Sequence, residues 1–179
     1  MNTGKLILQA IPEAGTDLVL EDLPEWHEAL LEVDKNCRFD KPLRAEIFVQ
    51  VQPEGVLLRG RFAATVVLPC DRCAEEAHYT LNERFDAFEP LPDETVAGDE
   101  GPDDSIIRQL PRNKGVEVDV AALVRQEFLL ALPIKPLCDN MCKGLCSVCG
   151  CNRNTETCAC DKTGTDPRLA ALQGFKPSK

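Results

Sequence analysis

Several features common in enzymes and membrane proteins are missing from this chain. Aromatic residues make up only 5% of its 179 residues, with a single tryptophan, Trp26, and a single tyrosine, Tyr79. No apolar stretch reaches the length needed to span a membrane, and the N-terminal residues are too polar for a secretory signal peptide. A Ser/His/Asp set, a Walker loop, an HExxH motif and a dinucleotide glycine fingerprint are also absent. We therefore expect a cytoplasmic protein that is not an enzyme.

Cysteine, by contrast, is abundant and concentrated near the C-terminus. Seven of the ten cysteines lie between residues 137 and 160, in the segment LCDNMCKGLCSVCGCNRNTETCAC. Thiolates are strong ligands for zinc, which binds four of them in structural sites. The segment Cys146-Ser-Val-Cys149-Gly150 has the spacing of a zinc knuckle, because two intervening residues let one turn direct both sulfurs to a single metal.

The predicted zinc ligands are the tail cysteines other than Cys151, namely Cys138, Cys142, Cys146, Cys149, Cys158 and Cys160. Cys70 and Cys73 form another CxxC pair and rank second as candidates. Eight thiols would suffice for two four-thiolate sites, but we favour one tail site because an acidic loop and a helix separate the pairs in sequence. The spacing leaves an iron–sulfur cluster open, whereas disulfides would need an oxidising compartment. Cys151 and Cys37 are interpreted as spare thiols.

Charge divides the chain into two parts. Residues 1–133 hold 13 Lys and Arg against 26 Asp and Glu, a balance of −13, whereas residues 134–179 hold 7 against 4, a balance of +3. We predict an acidic α+β body over 1–133, with a mobile acidic loop at 92–104. A cysteine-rich metal-binding tail with a short helix follows over 134–179. An acidic body repels nucleic acid at long range and attracts basic proteins.

Apolar and polar residues alternate as in β-strands at 43–52 and 75–88, and residues 56–68 between them form a β-rich run. They predict an antiparallel meander whose second corner carries Cys70-Asp-Arg-Cys73. Residues 13–21 are expected to be a loop. Helical spacing indicates a short helix at 23–31 and a longer one that begins after Asp119 as N-cap and runs to Leu132. The predicted fold class is α+β, an antiparallel β-meander sheet packed by one long helix, with a C-terminal cysteine-rich zinc-knuckle appendage.

Three separated stretches carry a resemblance to a known family. They are Leu68-Pro-Cys70-Asp-Arg-Cys73, Pro133-Ile-Lys-Pro-Leu-Cys138, and a longer run that contains Cys142-Lys-Gly-Leu-Cys146-Ser-Val-Cys149-Gly150, Cys158-Ala-Cys160 and Asp166-Pro-Arg-Leu-Ala-Ala-Leu172. In their order and spacing, over roughly residues 40–173, they resemble the YceD-like family, named for large ribosomal RNA subunit accumulation. Ser147 stands where that family usually has proline, Ala74 stands where a leucine is common, and Cys151 is additional.

The resemblance implies a non-enzymatic factor that helps large-subunit ribosomal RNA to accumulate. The family's genes often neighbour the gene of a large-subunit ribosomal protein, which implies that protein or the RNA as a partner. The predicted partner or RNA contacts are Lys135, Lys143, Arg153, Lys162 and Arg168 of the tail, with Arg72 of the body. Two alternatives stay open, a zinc-knuckle interaction adaptor unrelated to ribosomes and a thiol redox protein acting through Cys70 and Cys73.

Overall fold

The computed structural model describes residues 3–91, 106–110 and 115–160. Its elements follow one another as β1 (Lys5–Ile7), a 3-10 turn (Leu8–Ala10), β2 (Thr16–Glu21), α1 (Pro24–Val33), β3 (Arg38–Gln52), β4 (Gly55–Pro69), β5 (Glu76–Pro90), β6 (Ile107–Gln109), β7 (Val116–Asp119) and α2 (Val120–Ala131). Cysteine-rich turns without long regular elements continue from α2 to Cys160.

A four-stranded antiparallel sheet in the order β2-β3-β4-β5 forms the main layer. The strands β3, β4 and β5 are each 15 residues long and pair consecutively, which confirms the antiparallel meander. Alternation along β3 buries Leu43, Ala45, Ile47 and Val49 on one face. Strands β4 and β5 are joined at one end of the main sheet, and the corner between them carries the first cysteine pair.

A smaller sheet, in the order β1-β7-β6, and two helices complete the core. The Asp119 side chain accepts a hydrogen bond from Ala122 N at 3.0 Å, so it caps α2 as predicted. The indole Nε1 of Trp26 in α1 donates to Ala121 O at 3.0 Å and ties the two helices together. Phe128 of α2 is fully buried and packs against Phe62 of β4. Both helices therefore share one hydrophobic core with the main sheet.

Three details of the predicted fold need comment. Within the described ranges the structure has two helices of similar length, 10 and 12 residues, rather than one long helix. The prediction of a loop over residues 13–21 is wrong, because Thr16–Glu21 forms β2 and pairs with β3. The acidic loop at 92–104 and the short terminal helix fall outside the described residues. Neither described helix is long and apolar enough to cross a lipid bilayer.

Candidate metal centres

The corner between β4 and β5 holds the first pair of cysteines. Strand β4 ends at Pro69. The turn that follows is closed by two hydrogen bonds, from Cys70 N to Glu75 O at 2.8 Å and from Ala74 N to Cys70 O at 2.8 Å. Ala74 has a φ of 62°, a left-handed conformation that returns the chain into β5. Cys70 and Cys73 are each only 3% exposed, so this one turn contains two buried thiols.

Tyr79 of β5 brings the tail to this corner. Its hydroxyl donates to Leu137 O at 3.0 Å and accepts from Leu137 N at 2.6 Å. Beside it, Asp71 N donates to Pro136 O at 2.8 Å. These three hydrogen bonds fix the backbone immediately before Cys138, so its side chain enters the corner from a defined direction.

Arg72 stabilises the tail a second time, a few residues further along. Its guanidinium donates to Cys142 O at 2.8 Å, and its own carbonyl accepts from Leu145 N at 2.9 Å. Gly144 has a φ of 70°, and a Cβ at this position would come within 2.8 Å of Arg72 O. Only glycine fits this approach, so the glycine between Cys142 and Leu145 lets the tail lie directly on the corner turn.

Four thiols meet at the place where corner and tail join. The Sγ atoms of Cys70 and Cys142 are 3.8 Å apart, and those of Cys73 and Cys138 are 3.5 Å apart. All four sulfurs lie within 4.8 Å of one another. Zinc with four tetrahedral bonds of about 2.3 Å separates its sulfurs by about 3.8 Å. The geometry and the donor set of these four residues, which we call the corner cluster, therefore fit a four-thiolate metal centre.

The electrostatics of the corner cluster point the same way. Burial acts to raise the pKa of the Cys70 thiol, but nearby backbone N–H groups, that of Cys138 first among them, outweigh burial and lower this pKa to about 6. A hydrogen bond with Cys73, together with burial, raises the pKa of Cys138 to about 12. Thiols packed this closely cannot all ionise without a cation, and a bound divalent ion would let all four serve as thiolates.

A second group of thiols lies in the tail beyond the corner. The knuckle turn is closed by a hydrogen bond from Gly150 N to Cys146 O at 2.9 Å, and Gly150 supplies the required positive φ of 75°. A further bond runs from Cys146 N to Cys151 O at 2.8 Å. Four sulfurs within 4.8 Å of one another form what we call the tail cluster, Cys146, Cys149, Cys151 and Cys158. Cys160 is not one of these four thiols, although the side chain of Cys149 acts on its pKa.

Among the thiols of the tail beyond the corner, one has a lowered pKa and two have raised pKa values. Backbone N–H groups of Cys149 and Val148 lower the pKa of Cys146 to about 6. A hydrogen bond with Cys149, together with burial, raises the pKa of Cys151 to about 12. The same two causes raise the pKa of Cys160 to about 12. The thiol of Cys149 thus acts on both Cys151 and Cys160. With Cys160 included, this part of the tail holds five thiols, one more than a tetrahedral ion needs.

The structure changes the predicted grouping of the cysteines. The preference for a single site depended on the separation of the CxxC pair from the tail, and that reason fails because Cys70 and Cys73 meet Cys138 and Cys142. Cys151, interpreted as spare, is one of the four thiols of the tail cluster. Cys37 lies apart from both clusters and is 3% exposed in the hydrophobic core, consistent with a small buried apolar residue. Two sets of four thiols could therefore hold a metal ion.

The predicted partner contacts fall into three groups. Lys135, Lys143 and Arg153 are exposed on the tail and form no ion pair within the described part of the chain. Arg72 is also exposed, but its guanidinium is bonded to the tail backbone, which gives it a structural role. Lys162 and Arg168 lie outside the described residues.

Sequence reasoning missed the side chains that position the clusters. The alternating pattern places Tyr79 on a strand just after a CxxC corner, and this position is the signal that could have indicated its contact with the tail. Asn154 was not singled out, and its amide Nδ2 lies 3.3 Å from Cys142 Sγ. Its position three residues after a cysteine of the knuckle was the available signal.

Comparison with known proteins places this arrangement in a family. The family model described as large ribosomal RNA subunit accumulation protein YceD matches residues 58–176, which include both clusters. The chain belongs to the YceD family. This confirms the resemblance carried by the cysteine motifs, and it covers the chain from within β4 to beyond the described tail.

Curated relatives of this YceD family chain come from plastids and from bacteria. The chain is 26% identical over 158 residues to the large ribosomal RNA subunit accumulation protein YCED homolog 1, chloroplastic, of Arabidopsis thaliana, covering 75% of this chain and 49% of that protein. It is 30% identical over 125 residues to an uncharacterized protein of Mycobacterium tuberculosis, covering 68% of this chain and 54% of that one. The chain thus spans about half the length of these relatives. No solved structure matches it.

Proposed function

We propose that this protein is a non-enzymatic ribosome-biogenesis factor that supports the accumulation of large-subunit ribosomal RNA. The observation that carries the proposal is the YceD family match across residues 58–176, together with plant relatives named for this role. Within that role, the two cysteine clusters bind zinc and give the tail its shape. A reducing compartment such as the cytoplasm suits the proposal, because it keeps thiols free for metal.

Zinc binding is supported by the chemistry of the two clusters. Each brings four thiols within 4.8 Å of one another, and no nitrogen or carboxylate ligand is needed to complete either set. Within the residues 134–160, most large apolar side chains are exposed, with Ile134 97% and Met141 82% accessible. Because this segment cannot build a hydrophobic core, metal binding is the available source of folding free energy.

A structural role for the thiols is favoured over thiol redox chemistry. A redox CxxC motif opens a helix, where the helix terminus lowers the pKa of the attacking thiol. Here Cys70 and Cys73 lie in a turn between two strands, and two further thiols, those of Cys138 and Cys142, lie against them. Four thiols within 4.8 Å of one another, three of them buried, suit ligation of an ion better than exchange with an external disulfide.

The acidic body suits a basic protein as its partner. Glu28 and Glu32 are exposed on α1 and form no ion pair among the described residues. On the outer face of the main sheet, by contrast, some arginines are already neutralised, as in the pairs of Arg61 with Glu46 at 2.6 Å and of Arg59 with Asp86 at 2.9 Å. The body therefore carries an excess of negative charge, part of it unpaired on α1, which attracts a basic large-subunit ribosomal protein and repels naked RNA.

The tail supplies the complementary contact. Lys135, Lys143 and Arg153 project from the metal-binding segment without an acidic partner among the described residues. In this proposal the body holds a basic ribosomal protein while the tail makes the specific contact to that protein or to the RNA beside it. Loss of the holder leaves the RNA incompletely covered, so its accumulation falls as a secondary effect.

The test compares affinity for a purified, basic large-subunit ribosomal protein with affinity for naked large-subunit RNA. We expect tighter binding to the protein at physiological salt, with an affinity that weakens steeply as salt rises. A Glu28→Gln, Glu32→Gln variant should associate more slowly than wild type, whereas the control Glu54→Gln, an exposed acid in the β3–β4 turn, should change the rate less. Pull-down from lysate with and without RNase checks that the ribosomal protein is retained without RNA.

One outcome would overturn the holder proposal. Tight, sequence-specific binding to naked RNA that persists after neutralisation of the tail cations would show that another surface reads the RNA directly. The cations to neutralise are Lys135, Lys143, Arg153, Lys162 and Arg168.

A further inference from the structure

A short loop of the tail connects the two cysteine clusters. This asparagine loop, Cys151-Asn-Arg-Asn154, begins inside the tail cluster, where Cys151 O accepts from Cys146 N at 2.8 Å. It then runs antiparallel to the segment that leaves the corner cluster. The backbones of Leu145 and Asn152 form a β-bridge, and Arg153 N donates to Gly144 O at 3.0 Å. The loop therefore ends beside Cys142, a thiol of the other cluster.

At that end of the loop, the hydrogen bonds of the Asn154 side chain allow only one orientation of its amide group. Its Oδ1 accepts from Lys143 N at 2.7 Å, so the NH₂ group must face the other way. Its Nδ2 then donates to Cys142 Sγ at 3.3 Å and to Asn152 Oδ1 at 2.9 Å.

Asn152 fixes the same loop to the body. Its Nδ2 donates to Glu75 Oε1 at 3.3 Å, and Glu75 O accepts from Cys70 N in the corner turn. Its Oδ1 accepts from both the backbone and the side chain of Asn154. The loop thus contacts the corner cluster on both of its components, the sheet corner and the tail.

We propose that Asn154 is a positioning residue for a metal ion bound by the corner cluster, and that through Asn154 the corner cluster depends on the tail cluster. The proposal rests on the proposed binding of metal by both clusters. A four-thiolate centre with a divalent ion carries two excess negative charges, and an N–H donor to one sulfur stabilises that charge without replacing a metal bond. Partners of this kind typically change metal affinity about 10- to 100-fold when they are mutated.

The corner cluster depends on the tail cluster because the asparagine loop begins at Cys151, inside the tail cluster. Residues 151–154 have no hydrophobic side chain apart from Cys151, so their conformation is set by hydrogen bonds and by the tail cluster. An ion bound to Cys146 and Cys149 fixes the start of the loop and so presents Asn154 to Cys142. Without that ion the loop must be ordered when the corner fills, which lowers the affinity of the corner for metal.

The experiment is a competitive zinc titration of the full chain against a chelating dye, with the thiolate-to-cobalt absorption bands recorded in parallel. The informative variant is Asn154→Asp, which is isosteric, keeps the acceptor for Lys143 N and replaces the donor beside Cys142 by a negative charge. Asn140→Asp is the matched control, because it adds the same charge in the exposed loop between Cys138 and Cys142 without a side-chain contact among the described residues. A Cys70→Ser, Cys73→Ser variant identifies which titration step belongs to the corner.

We expect Asn154→Asp to weaken the corner step about 10- to 100-fold and to shift its cobalt absorption bands, while the tail step stays unchanged. Asn140→Asp should match wild type. Equal corner affinities in wild type, Asn154→Asp and Asn140→Asp would overturn the positioning role. If wild type bound no metal at the corner, the proposed metal binding would fail instead, and the two failures are thus distinguishable.

A double-mutant cycle tests the dependence between clusters. Cys146→Ser, Cys149→Ser disables the tail cluster without removing a corner ligand, and we expect the corner affinity to fall by a factor similar to that for Asn154→Asp. Combining the two changes should add little, because both act through one contact. Additive losses would refute the coupling through Asn154. Urea unfolding of the sheet, measured for each variant, shows whether the body is intact, and Asn154→Gln, which retains the donor, should recover part of the affinity.

Discussion

Replacing Tyr79 by phenylalanine should release the tail from the body without unfolding the body. The hydroxyl makes two hydrogen bonds to Leu137, as donor at 3.0 Å and as acceptor at 2.6 Å. A typical protein hydrogen bond contributes a net 0.5–1.5 kcal/mol, so the pair contributes about 1–3 kcal/mol to docking of the tail. Since every 1.4 kcal/mol is tenfold, the population of undocked tail should rise about 5- to 150-fold.

Amide hydrogen exchange measures this directly. In Tyr79→Phe we expect faster exchange across residues 137–146, and faster transfer of corner zinc to a chelator, with unchanged exchange in β3 and β4. Thr80→Val is the matched control, since it removes an exposed hydroxyl from the next position of the same strand, and this hydroxyl forms no hydrogen bond with the described part of the tail. Unchanged exchange at residues 137–146 in Tyr79→Phe would refute the reasoning, as would an equal effect of Thr80→Val.

Three further predictions concern other parts of the molecule. Trp26→Phe leaves the buried carbonyl of Ala121 without its donor, so urea unfolding should show a loss of about 1–3 kcal/mol while zinc content stays unchanged. Cys151→Ser and Cys160→Ser should each keep full zinc stoichiometry by native mass spectrometry, because one thiol can replace the other beside Cys149. The double variant should lose the tail ion, and loss of that ion in either single variant would contradict the prediction. Chelation should abolish amide protection over residues 137–160 and leave the main sheet protected, which NMR exchange can check; a fully protected tail without metal would exclude a metal-dependent fold.

The main sheet could be predicted from the sequence because long strands carry their own signal. The alternation around Ile47 extends over many residues and fixes one buried face, so the antiparallel meander follows from it. The sequence does not indicate strand β2, because its six residues contain the continuous apolar run Leu18-Val19-Leu20 rather than an alternation with polar residues. Its structure comes from pairing with β3, in which Leu18 lies opposite Ile47, and no local pattern specifies that partner.

The corner cluster could not be predicted as a unit for a similar reason. Its two halves are recognisable as cysteine motifs, but Cys73 and Cys138 are 65 residues apart in sequence. They meet through hydrogen bonds of Tyr79 and Arg72 to the tail backbone, and backbone acceptors leave no trace in the sequence. The role of Cys151 could not be predicted because five thiols lie within fifteen residues of sequence, and these permit several different sets of four ligands.

The position of the corner cluster also connects metal binding to the proposed partner surface. Of the three exposed tail cations, Lys135 and Lys143 lie close in sequence to Cys138 and Cys142, and Arg153 lies within the asparagine loop. Because the tail builds no hydrophobic core of its own, their places relative to the acidic body depend on the hydrogen bonds of the corner to the tail and, in the proposed function, on metal bound by the corner cluster. A partner that touches both the body and the tail binds the joined arrangement more tightly, so by linkage it also strengthens metal binding at the corner. Metal occupancy and partner affinity should therefore rise and fall together.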